Sequence, residues 1–398
     1  MKVLVVNAGS SSLKFQLINM ADESVMAKGN CEKIGIDGSF IGYSINGVKK
    51  EVKSEIPNHD VAISLVLNLL TDKEEGVISS LNEINAVGHR VLHGGEIYTD
   101  SVLINDEVMK TLNDLKPLGP LHMPANIAGI CACQKAMPGV PNVAVFDTAF
   151  HAQMPKEAFL YAVPYEAYEN WKVRRYGFHG TSHKFVSGEV AKLLGKDVKD
   201  LKIITVHLGN GSSIAAVKNG RSIDTSMGYT PLEGLIMGTR SGDVDASVAG
   251  YIAEQMNMTA TEVVNYLNKK SGALGISGVS SDMRDINAAA ESGNERAKLV
   301  VPMMAYRIKK YIGSYMAALN GADAIVFTGG IGENQEDLRE LSLRDMSSFG
   351  IEIDVEKNNN LKRGTVEEIS TPASKVRVFR IPTNEELVIA RDTIRLSK

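Results

Sequence analysis

Two arginines lie in segments rich in glycine, and both could do anion chemistry. Gly88-His89-Arg90-Val91-Leu92-His93-Gly94-Gly95 and Gly238-Thr239-Arg240-Ser241-Gly242-Asp243 each present a guanidinium, expected at a strand end, that can fork onto a phosphoryl or carboxylate group. Either arginine could equally serve as an ordinary surface ion-pair partner. Phe146-Asp147-Thr148 puts a carboxylate at the end of an apolar strand, where open α/β sheets present ligand contacts. Such an Asp can hold Mg²⁺ through water or cap the next turn. Asp243 and Asp245 could bind metal, but their position before a helix makes them its expected caps. A phosphate-loop pattern occurs twice. Residues 2–6 run into Asn7-Ala8-Gly9-Ser10-Ser11-Ser12 and return through 13–18, and residues 203–208 run into Gly209-Asn210-Gly211-Ser212-Ser213 and return through 214–217. Turns of this composition let the backbone approach an anion and aim N–H and hydroxyl donors at it.

These residues need a scaffold, and the chain supplies alternating elements. After the first hairpin come a basic, Gly-marked strand region near Ile41 to Val52, a helix over Val61 to Leu70 and a strand at Ala86 to Gly88. A helix around Asn126 to Ala136 precedes the strand Asn142 to Phe146. The second half reads as hairpin, helices near Val244 to Gln255 and Ala260 to Lys269, a long amphipathic helix from Ala297 to Leu319, the strand Ala324 to Phe327, and a Gly-rich turn Thr328 to Asn334. Thr383-Asn384-Glu385-Glu386 opens a capped C-terminal helix. The class is α/β in two duplicated domains, 1–150 completed by 385–398, and 151–384.

Composition narrows the function classes. A chain of 398 residues that is 44% hydrophobic can bury two cores. A net charge of −4 with mixed signs and no long basic run argues against nucleic acid or an anionic membrane as partner. No charged-then-apolar leader precedes the first strand, and no apolar run reaches the roughly 20 residues of a membrane helix. Cys31, Cys131 and Cys133 form neither a disulfide framework nor a zinc knuckle, as expected of reduced cysteines in a cytoplasmic protein. His89 with His93 and His179 with His183 are each four apart, yet neither pair carries the glutamate of a zinc-protease helix. A P-loop, a dinucleotide fingerprint and a Gly-x-Ser-x-Gly elbow are absent.

Residues 5–15, 88–95, 146–151 (Phe-Asp-Thr-Ala-Phe-His), 175–183 (Arg-Tyr-Gly-Phe-His-Gly-Thr-Ser-His), 207–213 and 329–334, in that order along essentially the whole chain, resemble the acetokinase family. The resemblance implies two actin-like (ribonuclease H-like) domains with a nucleotide cleft between them, and the reaction ATP plus acetate to ADP plus acetyl phosphate, reversible and by direct in-line transfer. It implies that Arg90 holds the acyl carboxylate and that Arg240 and His179 stabilise the phosphoryl in flight. Asn7 would touch the same phosphoryl and, with Glu385, hold Mg²⁺ or Mn²⁺; Asp147 would place the metal and its waters. Lys14, His207, Leu208, Gly209, Asn210 and Gly211 would face the nucleotide phosphates, and Asp282, Met283, Arg284, Gly330, Ile331, Gly332 and Asn334 the nucleoside. The acyl methyl would lie against Leu92, Leu121, Phe178 and Pro231. Leu92 stands where the family often has valine, which bears on the acyl size accepted. The family resemblance further implies a homodimer formed through the second domain.

Propionate or butyrate kinase is the same chemistry with a roomier pocket. An actin-like or chaperone-type ATPase switch shares the phosphate hairpins but has no use for two arginines directed at an acyl acceptor.

Overall fold

The computed structural model describes residues 1–398. The chain folds as two compact units, one of Met1–Ala152 with Asn384–Lys398 and one of Gln153–Thr383. No helix is long and apolar enough to cross a membrane.

The first unit is an eight-stranded sheet of β1 (Lys2–Ala8), β2 (Ser12–Asn19), β3 (Ser24–Glu32), β4 (Phe40–Ile45), β5 (Val48–Lys53), β6 (Ile84–Val91), β7 (Val102–Leu103) and β8 (Asn142–Phe146). Their order is β5-β4-β3-β2-β1-β6-β8-β7. The Ile41 to Val52 region is therefore two strands rather than one. Asn46 and Gly47 turn between them at φ 50° and 80°, the left-handed pair that a two-residue hairpin requires. Helices α1 (His59–Leu70), α2 (Asp106–Asp114) and α3 (Met123–Ala136) follow the strands. On one face Ile63 and Val66 of α1 and Ala132 of α3 pack with Leu4, Val6 and Phe15. On the other, Ile389 and Ala390 of the C-terminal helix Glu385–Leu396 cover Val3, Val5, Val143 and Val145. Strand β8 is buried along its whole length, as a strand covered on both faces must be.

The second unit repeats the plan with β9 (Lys202–Leu208), β10 (Ser212–Lys218), β11 (Arg221–Thr225), β12 (Ala324–Thr328), β13 (Glu367–Glu368) and β14 (Arg377–Arg380), in the order β11-β10-β9-β12-β14-β13. The core run β3-β2-β1-β6-β8 recurs as β11-β10-β9-β12-β14 with the same parallel and antiparallel senses. The duplication expected from the two hairpins is thus present. The helices are α4 (Lys156–Phe159), α5 (Tyr165–Trp171), α6 (Gly180–Leu193), α7 (Ala246–Gln255), α8 (Ala260–Lys269), α9 (Gly272–Ser277), α10 (Met283–Glu291), α11 (Glu295–Leu319), α12 (Gly329–Asn334), α13 (Glu336–Leu343) and α14 (Val355–Asn359); the C-terminal helix is α15. Helix α11 buries Val300, Met304, Ile308, Ile312 and Leu319 against Ile204, Val206 and Ile325, the three-four spacing of an amphipathic face. The expected turn Thr328 to Asn334 is instead the short helix α12, whose Asn334 Nδ2 donates to the Gly330 carbonyl at 2.8 Å.

Candidate active site

In the first unit the polar residues converge because the sheet register aligns them. Asn7 of β1 pairs directly with Lys14 of β2, and Val6 with His89 of β6, so Arg90 follows Asn7 on the next rung. Asp147, one residue past β8, meets Arg90 at the strand ends. Arg90 Nε donates to Asp147 Oδ1 at 3.0 Å and Nη2 donates to Oδ2, a two-pronged ion pair. The Asp147 side chain is 1% exposed and that of Arg90 28%, so the guanidinium keeps an edge toward solvent. Burial pushes the Asp147 carboxyl above its ordinary value, the Arg90 charge opposes that, and Glu385 adds to the rise. The Arg90 pKa is raised, first by Asp147 and then, against burial, by Glu385. Asp147 is thus no helix or turn cap, and its immediate partner is an arginine.

Asn7, Lys14, Arg90, Glu385, Lys28 and Lys49 line a groove of about 670 Å³ on the face of this sheet that carries the C-terminal helix. Magnesium takes oxygen ligands, commonly one or two carboxylates supplemented by water and substrate phosphate. The Glu385 carboxylate and Asn7 amide oxygen fit that donor set, while both Asp147 oxygens are engaged by Arg90. Leu92 is half-buried beside α3, and its Cδ2 is 2.8 Å from where a Cβ on Gly119 would stand. Leu121 is 67% exposed.

The second unit builds its part around the β9–β10 hairpin. Gly209 N–H donates to the Gly211 carbonyl at 3.0 Å, closing the turn, and Gly238 N–H donates to the Asn210 carbonyl at 3.0 Å. A Cβ on Gly211 would lie 3.3 Å from His179 Nε2 and 3.3 Å from Arg240 Nη1. Two cationic or donor groups therefore face the same space beside the turn. The expectation that Arg240 ends a strand is corrected: it lies in the irregular segment between β11 and α7, where Nη1 donates to the Pro231 carbonyl at 3.1 Å. It pairs with no carboxylate, and burial lowers its pKa from the usual arginine value. A partly buried guanidinium without an acid partner is suited to an incoming anion.

His179 caps the start of α6 in the left-handed region at φ 57°, a conformation rare outside glycine and frequent at functional positions. Its ring lies 4.3 Å from that of His207 on β9. The Ser182 hydroxyl is 2.8 Å from His207 Nδ1 and 2.8 Å from Thr383 Oγ1. His183 is hydrogen-bonded to Thr205 and Ser213, each at 2.7 Å. His89 Nε2 donates to Asn142 Oδ1 at 2.7 Å, and His93 Nδ1 accepts from Gly95 N–H.

The expected nucleoside segments meet in part. Asn287 of α10 donates to Gln335 at 3.2 Å, tying α10 to the end of α12. Asp282 caps α10 and pairs with Arg284, which holds its carboxyl down to about 2. The Met283 and Leu208 side chains are packed into the core of this unit. Gly330 is exposed, Ile331 lies against the core and Gly332 packs on Leu208. Arg363, which sequence reading did not single out, donates to Asn334 Oδ1 at 3.2 Å. Phe178 is buried and Pro231 half-buried in this unit. Asp243 does not cap α7; it accepts from Gly234 N–H and Tyr311 OH, both at 2.8 Å, and Asp245 alone caps, accepting from Ser247 N–H.

Residues 2–391 match the model of the acetokinase family. This chain belongs to the acetokinase family. It is 55% identical over 399 residues to an acetate kinase of Acetivibrio thermocellus and 56% identical over 396 residues to one of Lachnoclostridium phytofermentans, covering 100% of each chain. Among solved structures, the Porphyromonas gingivalis acetate kinase superposes on this acetokinase with a TM-score of 0.97 at 49% identity, covering 100% of both chains. A propionate kinase from Francisella tularensis gives 0.92 at 42% identity, covering 99% of each.

Proposed function

We propose that this acetokinase catalyses the reversible, Mg²⁺-dependent transfer of the ATP γ-phosphoryl group to acetate. The observation that carries the reading is the convergence of His179 Nε2 and Arg240 Nη1 on one space beside Gly211. Two donors facing one space suit a migrating phosphoryl group, whose negative charge is spread over three oxygens, and they need not reorient as the reaction proceeds. Acetate is ionised at neutral pH, so no base is required and catalysis rests on alignment and charge.

The chain's own groups divide the work. Arg90, oriented by Asp147, holds the acid's carboxylate through its exposed edge. The turn Gly209-Asn210-Gly211 and His207 cradle the nucleotide phosphates, and Gly330 to Asn334 with the backbone of 282–284 bound the nucleoside. Glu385 and Asn7 would hold Mg²⁺, with Asp147, held by Arg90, behind them to help place its waters, and the metal would supply neutralisation of the polyphosphate charge. Leu92, Leu121, Phe178 and Pro231 set the acyl size. A luciferase assay of ATP made from acetyl phosphate and ADP tests the reading, since a chain that is only a nucleotide switch would make none.

Val248 and Tyr251 of α7 and Leu299, Met303 and Tyr306 of α11 form exposed apolar stripes, and Arg307 donates to the Asp243 carbonyl beside them at 3.3 Å. A second copy of the chain covers this face in a homodimer. Tyr306→Glu should halve the mass seen by light scattering, and an unchanged mass would exclude the face. The three cysteines are free thiols, which suits a reducing compartment such as the cytoplasm.

A further inference from the structure

His183, one helical turn after His179 on α6, has no part in the reaction as described so far. It is fully buried, and its two ring nitrogens are both engaged: Nδ1 lies 2.7 Å from Thr205 Oγ1 on β9, and Nε2 lies 2.7 Å from Ser213 Oγ on β10. The same Ser213 hydroxyl is 2.9 Å from His179 Nδ1. The antiparallel register sets Ser213 opposite His207 and Thr205 opposite Ala215, which puts both hydroxyls against α6. Thr205, His183, Ser213 and His179 thus form one continuous row of hydrogen-bonding groups.

The row can run in two directions, and the groups at its ends choose between them. A neutral imidazole carries one N–H and a hydroxyl one O–H, so each member donates to one neighbour and accepts from the other. Burial of His183 disfavours its charged form. Suppose His183 donated from Nδ1 to Thr205. The Thr205 hydroxyl proton would then need another acceptor, and this fully buried hydroxyl has none besides His183. An unpaired buried donor is costly. In the other direction Thr205 donates to His183 Nδ1, His183 Nε2–H donates to Ser213, and Ser213 donates to His179 Nδ1. The His179 proton then sits on Nε2, the atom that faces the space beside Gly211 shared with Arg240.

We propose that Ser213, with His183 and Thr205 behind it, is a positioning residue that fixes the tautomer of His179 and so presents an Nε2–H donor to the phosphoryl group. The use made of that donor rests on the proposed kinase reaction, whereas the tautomer itself does not. Removing the orienting partner of a functional histidine lowers activity by about 10- to 100-fold in metal sites, and a loss of that order is expected here.

The test is NMR of the full chain with ¹⁵N-labelled histidine, assigned with a His179→Gln variant, alongside steady-state kinetics. In the wild type His179 should show a protonated Nε2 and an unprotonated Nδ1. Ser213→Ala and, independently, Thr205→Val should each mix the tautomers and lower kcat by about 10- to 100-fold, with KM for ATP and acetate little changed. A wild-type His179 protonated on Nδ1 would overturn the proposal. So would variants that fold, keep the wild-type tautomer and turn over normally. If the wild type makes no acyl phosphate while the tautomer is as stated, the kinase reading fails and the positioning stands.

Discussion

Arg90 grips Asp147 with one edge of its guanidinium, Nε to one carboxylate oxygen at 3.0 Å and Nη2 to the other, while Asp147 itself is buried. The two residues come from the ends of neighbouring parallel strands, β6 and β8, and each is the other's counter-charge. Removing one partner of a buried pair strands the other, at a cost of about 3–5 kcal/mol. Arg90→Ala should therefore lower both activity and stability. Without the arginine, desolvation holds the Asp147 pKa above its unfolded value. Its contribution is then retained below the unfolded pKa and lost as pH rises through the raised one, so the deficit of Arg90→Ala relative to wild type should shrink toward acid pH. Urea unfolding at two pH values checks this. A pH-independent deficit would mean that Asp147 is not the stranded group. Asp147→Asn should be milder in stability and still slow in turnover.

Arg240 makes the opposite prediction, because no carboxylate depends on it. Arg240→Ala should leave the melting temperature near that of wild type and reduce kcat by about 10³ to 10⁵, as for other arginines that act on a transferring phosphoryl group. Arg240→Lys should recover little, since lysine lacks the planar fork. Gly211→Ala offers a second route to the same space. Its methyl would press on both His179 Nε2 and Arg240 Nη1 at 3.3 Å, and a displacement of about 1 Å there is worth about 100-fold in rate. Normal kcat in either alanine variant would remove these donors from the mechanism.

The acid limb of stability should carry the signature of His89. Burial pushes its pKa down to about 4, against the hydrogen bond to Asn142. Because the folded value lies below the unfolded one, the contribution is intact above about pH 6.5 and is lost as pH falls toward 4, in total about 3 kcal/mol. His89→Gln keeps a donor for Asn142 and should flatten this part of the stability profile in chemical denaturation. An unchanged slope would assign the acid sensitivity to other groups.

Much of this was legible from the chain. The long helix α11 could be read from its 3.6-residue period, and the buried strands β8 and β12 and the hairpin strands from short apolar runs bounded by turn residues. The Asn46-Gly47 pair carried the signal for a hairpin that a basic strand region concealed. Arg240 was found but misplaced, since nothing local holds it; its position comes from contacts with Pro231 and Met237 within an irregular segment. The pairing of Arg90 with Asp147 joins residues 57 apart, and the row from Thr205 to His179 joins three elements through hydroxyls that have no motif. Such relationships depend on sheet register and helix packing. They are invisible to spacing: the four-residue interval of His179 and His183 matches no metal motif, and it gives no sign that the two rings share the Ser213 hydroxyl.

Acyl preference should follow the packing of Leu92. One methylene in an apolar pocket is worth about 1–3 kcal/mol, so longer acids are rejected by overpacking. The expected order is acetate, then propionate weakly, then butyrate. Leu92→Ala should raise kcat/KM for propionate relative to acetate by up to that amount. An unaltered ratio would show that Leu92 does not border the acyl group, and a wild-type preference for propionate would align the chain with the propionate kinase it resembles at 42% identity.

The most direct measurement is to trap the product. Purified chain incubated with ATP, Mg²⁺, acetate and hydroxylamine should accumulate acetohydroxamate in step with ADP, and excess chelator should stop both. ADP released at the same rate without acetate, with no hydroxamate formed, would contradict the transfer of phosphoryl to a carboxylate and leave an ATP-hydrolysing switch in its place.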